Sequence, residues 1–92
     1  MGVKYYKNEN IVFTEIDNEA VLLNQQSGIY YGLDEVGVFV WRHLVDGLAF
    51  SDIIQEIVKE YNIEQNMINQ VSQDITLFIR DLNERSILLL EK

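Results

Sequence analysis

The apolar positions of this 92-residue chain change their period once, near residue 34, dividing a strand-forming third from a helix-forming remainder. Ile11 to Ile16 (Ile-Val-Phe-Thr-Glu-Ile) is rich in branched and aromatic side chains and stops at Asp17-Asn18, a turn dipeptide. Ala20 to Leu23 predicts a second strand and Ile29 to Leu33 a third, separated by a polar turn that ends in Ser27-Gly28. Three short strands joined by tight polar turns predict an antiparallel meander.

Asp34 is placed to cap a helix, because its carboxylate accepts backbone N–H groups at the helix start. Glu35 adds negative charge at the positive end of the helix dipole. The predicted helix runs from about Glu35 to Val45, with Val36, Phe39, Val40 and Leu44 on one side, Trp41 broadening the stripe and Asp46-Gly47 as the stop. A second helix opens at Ser51 or Asp52 and repeats Ile53, Ile54, Ile57, Val58 and Tyr61 until Asn62 breaks it. The third spans about Gln65 to Arg85, with Ile68, Val71, Ile75, Phe78 and Leu82 as its core stripe. Ser86 ends it, leaving Ile87 to Leu90 as an apolar tail able to dock or to pair as an extra strand.

The expected fold is α+β, a three-stranded antiparallel sheet followed by three helices, in a single domain over residues 1–92. The short Tyr61 to Glu64 connection is compatible with a helix-turn-helix, and the hairpin beside it would serve as the wing.

Composition removes most chemistry. Without cysteine there is no disulfide, thiolate nucleophile or cysteine-ligated metal. His43 is the single histidine and has no serine, cysteine or acid at a convincing catalytic spacing, so it reads as structural. Among fifteen carboxylates, neighbours such as Asp74 with Asp81 or Glu56 with Glu60 read as solvated helix faces rather than acid–base dyads. No histidine pair, calcium loop or phosphate-binding glycine loop is present, so neither metal, cofactor nor enzymatic activity is expected. A formal charge of −8 and seven scattered basic residues argue against nucleic acid. A winged helix-turn-helix regulator that binds DNA is the alternative reading, opposed by Asp74, Asp81 and Glu84 outnumbering Arg80 and Arg85 on the third helix. The first ten residues lack the apolar run of a signal peptide, and no segment reaches the roughly 18 apolar residues of a spanning helix. A cytoplasmic protein with no membrane partner is expected.

What remains is a surface. If Ile29 to Leu33 lies at the sheet edge, its unpaired backbone groups invite another chain to add as a strand. On the third helix, Leu77 stands off the core stripe on a side that also holds Met67, Gln70, Asp74 and Asp81.

The succession of Val21-Leu22-Leu23, a polar turn, Gly28-Ile29-Tyr30-Tyr31-Gly32-Leu33-Asp34, Gly37, Trp41, Asp46-Gly47, Ile53 to Val58, Tyr61 and Asp74 to Leu82 resembles the PqqD-like family over about residues 10 to 90. The resemblance implies a winged helix-turn-helix fold and the role of a recognition element for ribosomally made, post-translationally modified peptides. Such an element binds the leader of a precursor peptide, which adds as a strand beside the third strand and lies against the third helix. Carried onto this chain, the edge is Ile29, Tyr30, Tyr31, Gly32 and Leu33. The helix wall is Met67, Gln70, Val71, Asp74, Leu77, Phe78 and Asp81. A separate modifying enzyme or leader peptidase is the implied second partner. Asn24-Gln25-Gln26-Ser27-Gly28 stands where the pyrroloquinoline-quinone protein tends to carry Pro-Glu, and the chain looks more like a stand-alone partner in lasso-peptide biosynthesis. Ser86 replaces the glycine often found before the final apolar residues.

Overall fold

The computed structural model describes residues 4–90. The predicted meander is present as β2 (Ile11–Ile16), β3 (Glu19–Asn24) and β4 (Tyr30–Leu33), preceded by a short β1 (Tyr5–Lys7). Pairing is antiparallel, from Ile11↔Asn24 to Ile16↔Glu19 and from Ala20↔Leu33 to Leu23↔Tyr30, in the spatial order β2-β3-β4. Asp17 enters the first turn with a left-handed φ of 58°, a conformation aspartate tolerates and a tight hairpin demands. In the second turn the Asn24 side-chain oxygen accepts the N–H groups of Gln26 and Ser27 at 2.9 and 3.1 Å, and Gly28 supplies a φ of 76°. The turn therefore satisfies its own backbone and fixes where β4 begins.

Asp34 caps α1 (Glu35–Val45) as expected, its carboxylate accepting the Gly37 N–H at 2.8 Å. A Cβ on Gly37 would stand 3.2 Å from that carboxylate and 3.4 Å from Leu33 Cβ, so the glycine lets strand, cap and helix close together. Gly47, at φ 88°, ends α1 while Leu48 N–H donates to His43 O and Gly47 N–H to Leu44 O. The second helix, α2 (Phe50–Glu60), starts just before Ser51 because extended Ala49 occupies the cap position, leaving Asp52 in the first turn where the dipole favours it. The third predicted helix is divided: Gln65–Met67 forms a 3-10 turn, and α3 runs Ile68–Glu84. Ser86 adopts φ 61° in place of a glycine, and paired bonds from Ile87 N–H to Leu82 O and Ser86 N–H to Asn83 O close the helix end.

The apolar tail becomes β5 (Leu88–Leu90), antiparallel to β1 in the register Tyr5↔Leu90 to Lys7↔Leu88. The tail thus pairs, with a partner the pattern does not announce, because Tyr5-Tyr6-Lys7 is too short to read as a strand without the chain that completes it. Asn8 secures the junction by donating its backbone N–H to Ile87 O and its side-chain amide to Ser86 O.

Two core assignments shift. On α3 the buried residues are Ile75, Ile79 and Leu82, whereas Val71 and Phe78 are only partly covered. The buried line turns toward Ile79 because β5 and α2 pack on α3, which leaves the Val71–Phe78 side toward β4 incompletely covered. On α1, Val38 is buried and Val36 is exposed, since that helix packs against β1, β3, β4 and α2 rather than one surface. Among the described residues no helix is long and apolar enough to cross a membrane.

Candidate functional site: the open edge of β4

Strand β4 has β3 on one side and, among the described residues, no strand on the other. Asn24 N–H donates to Ile29 O at 2.9 Å, which makes Asn24↔Ile29 a hydrogen-bonded pair. Such pairs recur every second residue in an antiparallel ladder, so Tyr31 and Leu33 also direct their backbone groups at β3. The N–H and C=O groups of Tyr30 and Gly32 therefore face the open edge. Side chains alternate in the other sense: Leu33 is buried and Tyr31 points at α3, while Tyr30 is 68% exposed on the opposite face. A Cβ on Gly32 would meet nothing within 4 Å, so the sheet face that Gly32 shares with Tyr30 is open.

Across from the edge, Val71, Asp74, Phe78 and Asp81 follow one another on α3 at steps of three and four and share one helix face. Between strand and helix lies an open hollow of about 480 Å³, walled by Tyr31, Gly32 and Leu33 of β4, Val36 and Val40 of α1, and Asp74, Ile75 and Phe78 of α3. A smaller hollow of about 190 Å³ lies against Ile29, Tyr30, Leu22, Ile87 and Arg85. Tyr31 belongs to both and spans the gap: its hydroxyl donates to Asp81 at 2.8 Å, and its ring centre is 6.5 Å from that of Phe78. Arg85 completes the tie, donating from Nε to Asp81 at 3.1 Å with its guanidinium 5.3 Å from the Tyr31 ring centre.

Burial pushes the Tyr31 phenol up to about 12, helped by the hydrogen bond to Asp81 and its charge and opposed by Arg85. The same bond from Tyr31, followed by that from Arg85, lowers the Asp81 carboxyl below its ordinary value. The tie therefore weakens at both pH extremes. The Asp81 contribution is present above the ordinary aspartate pKa and is lost as pH falls through the lowered one; the Tyr31 contribution is complete below 10.0 and is lost as pH rises toward about 12. Phenolate absorbance should accordingly show one of the five tyrosines ionising at about pH 12, and that phase should vanish in Tyr31→Phe. Loss of a phase near the ordinary 10.0, rather than of the one at about 12, would refute the tie.

Not every expected wall residue joins the groove. Gln70 stands at its rim, exposed, with its amide donating to Asp74 at 2.9 Å. Met67 is exposed in the 3-10 turn before the helix. Leu77, 58% exposed, lies in a different hollow with Asn69, Ser72, Gln73, Thr76 and Arg80, because it sits about 100° round the helix from Phe78. Conversely, Arg85, Val36, Val40 and Ile75 line the hollows without having been singled out as site residues. The Asp81–Arg85 spacing of four carried a readable signal for the first; the others are placed by packing alone.

His43, half-buried, donates from Nδ1 to Phe39 O at 2.8 Å and stacks near the Phe39 ring, a local structural role. Among the described residues no group of three or more His, Asp or Glu is placed to hold a metal ion.

A meander and a three-helix unit joined in this way form a winged helix-turn-helix domain, here with the open sheet edge set against its third helix. The chain belongs to the PqqD family: the model described as coenzyme PQQ synthesis protein D (PqqD) matches residues 19–88. Two solved structures are similar along nearly the whole length. TbiB1 in complex with the TbiA(beta) leader peptide is 34% identical, with a TM-score of 0.79 over 90% of this chain and 93% of that one. A lasso peptide synthetase B1 complexed with the leader peptide is 26% identical, with a TM-score of 0.81 over 94% and 98% of the two chains. No curated protein matches the chain.

Proposed function

We propose that this protein is a leader-peptide-binding adaptor of lasso-peptide biosynthesis, which captures its precursor by strand addition to β4. The observation that carries the reading is the outward set of backbone groups on Tyr30 and Gly32, opposite an apolar groove that Phe78 walls. Its support from outside the chain is that both similar structures hold leader peptides. Within the Ile29 to Leu33 edge, backbone hydrogen bonds to Tyr30 and Gly32 supply affinity that is indifferent to sequence, while the side-chain hollows choose the partner. On the helix wall, Val71, Asp74, Phe78 and Asp81 face the bound strand, with Gln70 and Met67 at the margin. Acting as one domain in the cytoplasm, the adaptor presents the precursor to a separate modifying enzyme or leader peptidase and performs no chemistry itself.

Titrating the intact protein against the labelled leader of the precursor encoded beside it should give saturable binding. Phe78→Ala should weaken it by about 1–2 kcal/mol, roughly five- to thirtyfold. Leu77→Ala, in its separate hollow, should bind like the parent. Absence of binding by any co-encoded leader would sink the proposal.

A further inference from the structure

The groove beside β4 has unlike ends. Arg85 stands at the Ile29 end, although it is engaged with Asp81. At the Leu33 end the walls carry Asp34 and Asp74. Immediately beyond, another hollow of about 520 Å³ opens between the Asp17-Asn18 turn and the start of α1, where Asp17, Glu19 and Glu35 join Asp34. None of these carboxylates belongs to an ion pair among the described residues; those pairs are Arg42–Glu15, Lys59–Glu56 and Arg85–Asp81. Burial, followed by the charges of Glu35, Glu60 and Asp34, pushes the Tyr61 phenol up. Apolar Val40 and Phe78 occupy the stretch between the ends, and Val36 borders both it and the acidic hollow.

A strand lying on the β4 edge must therefore run from a site beside one engaged arginine, over an apolar floor, toward carboxylates that have helix and amide partners but no cationic one among the described residues. Every strand pair among the described residues is antiparallel, the commoner arrangement generally. An antiparallel strand beside β4 has its N-terminal end next to Leu33. Resting on the leader-binding reading above, we infer that the leader this groove selects carries lysine or arginine immediately N-terminal to its apolar strand segment. The site remains the strand edge and the apolar groove; the carboxylates set the direction in which a peptide lies there and speed its capture. Like charge at that position would be repelled, so leaders with acidic residues there are rejected.

The test compares the co-encoded leader with a version whose basic residues ahead of the strand segment are changed to alanine. Each is titrated against the parent protein and against Asp34→Asn/Glu35→Gln/Asp74→Asn at low and high salt. Asparagine caps helices as well as aspartate does, so the variant keeps the start of α1 while losing its charge. The expected result is roughly tenfold weaker binding on changing either partner at low salt, little further loss on changing both, and a smaller difference at high salt. Should the variant fail to fold, the two leaders and the salt series on the parent protein still decide the matter. Equal, salt-independent affinity of the two leaders for the parent protein overturns the inference and leaves strand addition standing. A co-encoded leader with no basic residue in that position also overturns it, whereas failure of every leader to bind removes both proposals.

Discussion

Gly32→Pro is expected to leave the protein folded and to weaken leader binding by roughly 2 kcal/mol or more, about thirtyfold or more. The N–H of residue 32 faces the open edge, so proline there takes no bond from the β3–β4 ladder. Edge strands accept proline at such positions, and a Cβ on residue 32 would meet nothing within 4 Å, so the cost to stability should stay at about 1 kcal/mol. An incoming strand, however, needs that N–H, and the pyrrolidine ring would project where its backbone must lie. Gly32→Ala is the matched control: it keeps the N–H and adds a Cβ on the opposite face, so it should bind as the parent does. Paired measurements of affinity and thermal unfolding separate the two effects. Undiminished binding by Gly32→Pro would mean that the leader does not add to β4.

Leu82→Ala should cost about 3 kcal/mol of folding free energy, within the 2–5 kcal/mol typical of a fully buried leucine. Leu82 has no exposed surface, and its carbonyl receives the Ile87 N–H that turns the chain from α3 toward β5. It therefore anchors both the helix that walls the groove and the strand that ties the chain ends together. A protein of this length has roughly 5–14 kcal/mol to lose, so the variant should remain folded in buffer but open at a urea midpoint lower by roughly 2 M with an unchanged slope. Leu77→Ala, on the exposed side of the same helix, should shift stability by no more than about 0.5 kcal/mol. A change below about 1 kcal/mol in Leu82→Ala would show that α3 is held by something other than this contact.

The elements that were legible share a property: their signals are local. Asp17-Asn18, the Asn24 to Gly28 turn, the Asp34 cap and the Asp46-Gly47 stop each satisfy backbone groups within a few residues, and each stands where the pattern placed it. Ile29, predicted in the third strand, instead closes the turn before it, a difference of one residue at a frayed boundary. Ser86 shows the limit of composition as a guide, because a serine holds the left-handed position that a glycine commonly takes. Helix period alone places Asp74, Phe78 and Asp81 of the proposed wall on one face of α3. It does not fix direction: Leu77 shares the exposed half of α3 with Asp74, yet a turn of about 100° from Phe78 carries it into a different hollow.

The sequence by itself determined the order of strands and helices, the caps and turns that bound them, and the strand that carries the proposed site. Those follow from side-chain period and from hydrogen bonds between near neighbours, which the chain specifies wherever it goes. Only the tertiary structure decided that β1 finds β5, that the buried line of α3 runs through Ile79, and that Tyr31 crosses to Asp81 and Arg85. These join residues fifty or more positions apart, or choose between neighbouring faces of one helix, and the energy that selects them exists only once the other surface is in place. The open edge of β4 belongs to both accounts: its alternation is written in the chain, and its openness is a consequence of what did not pack beside it.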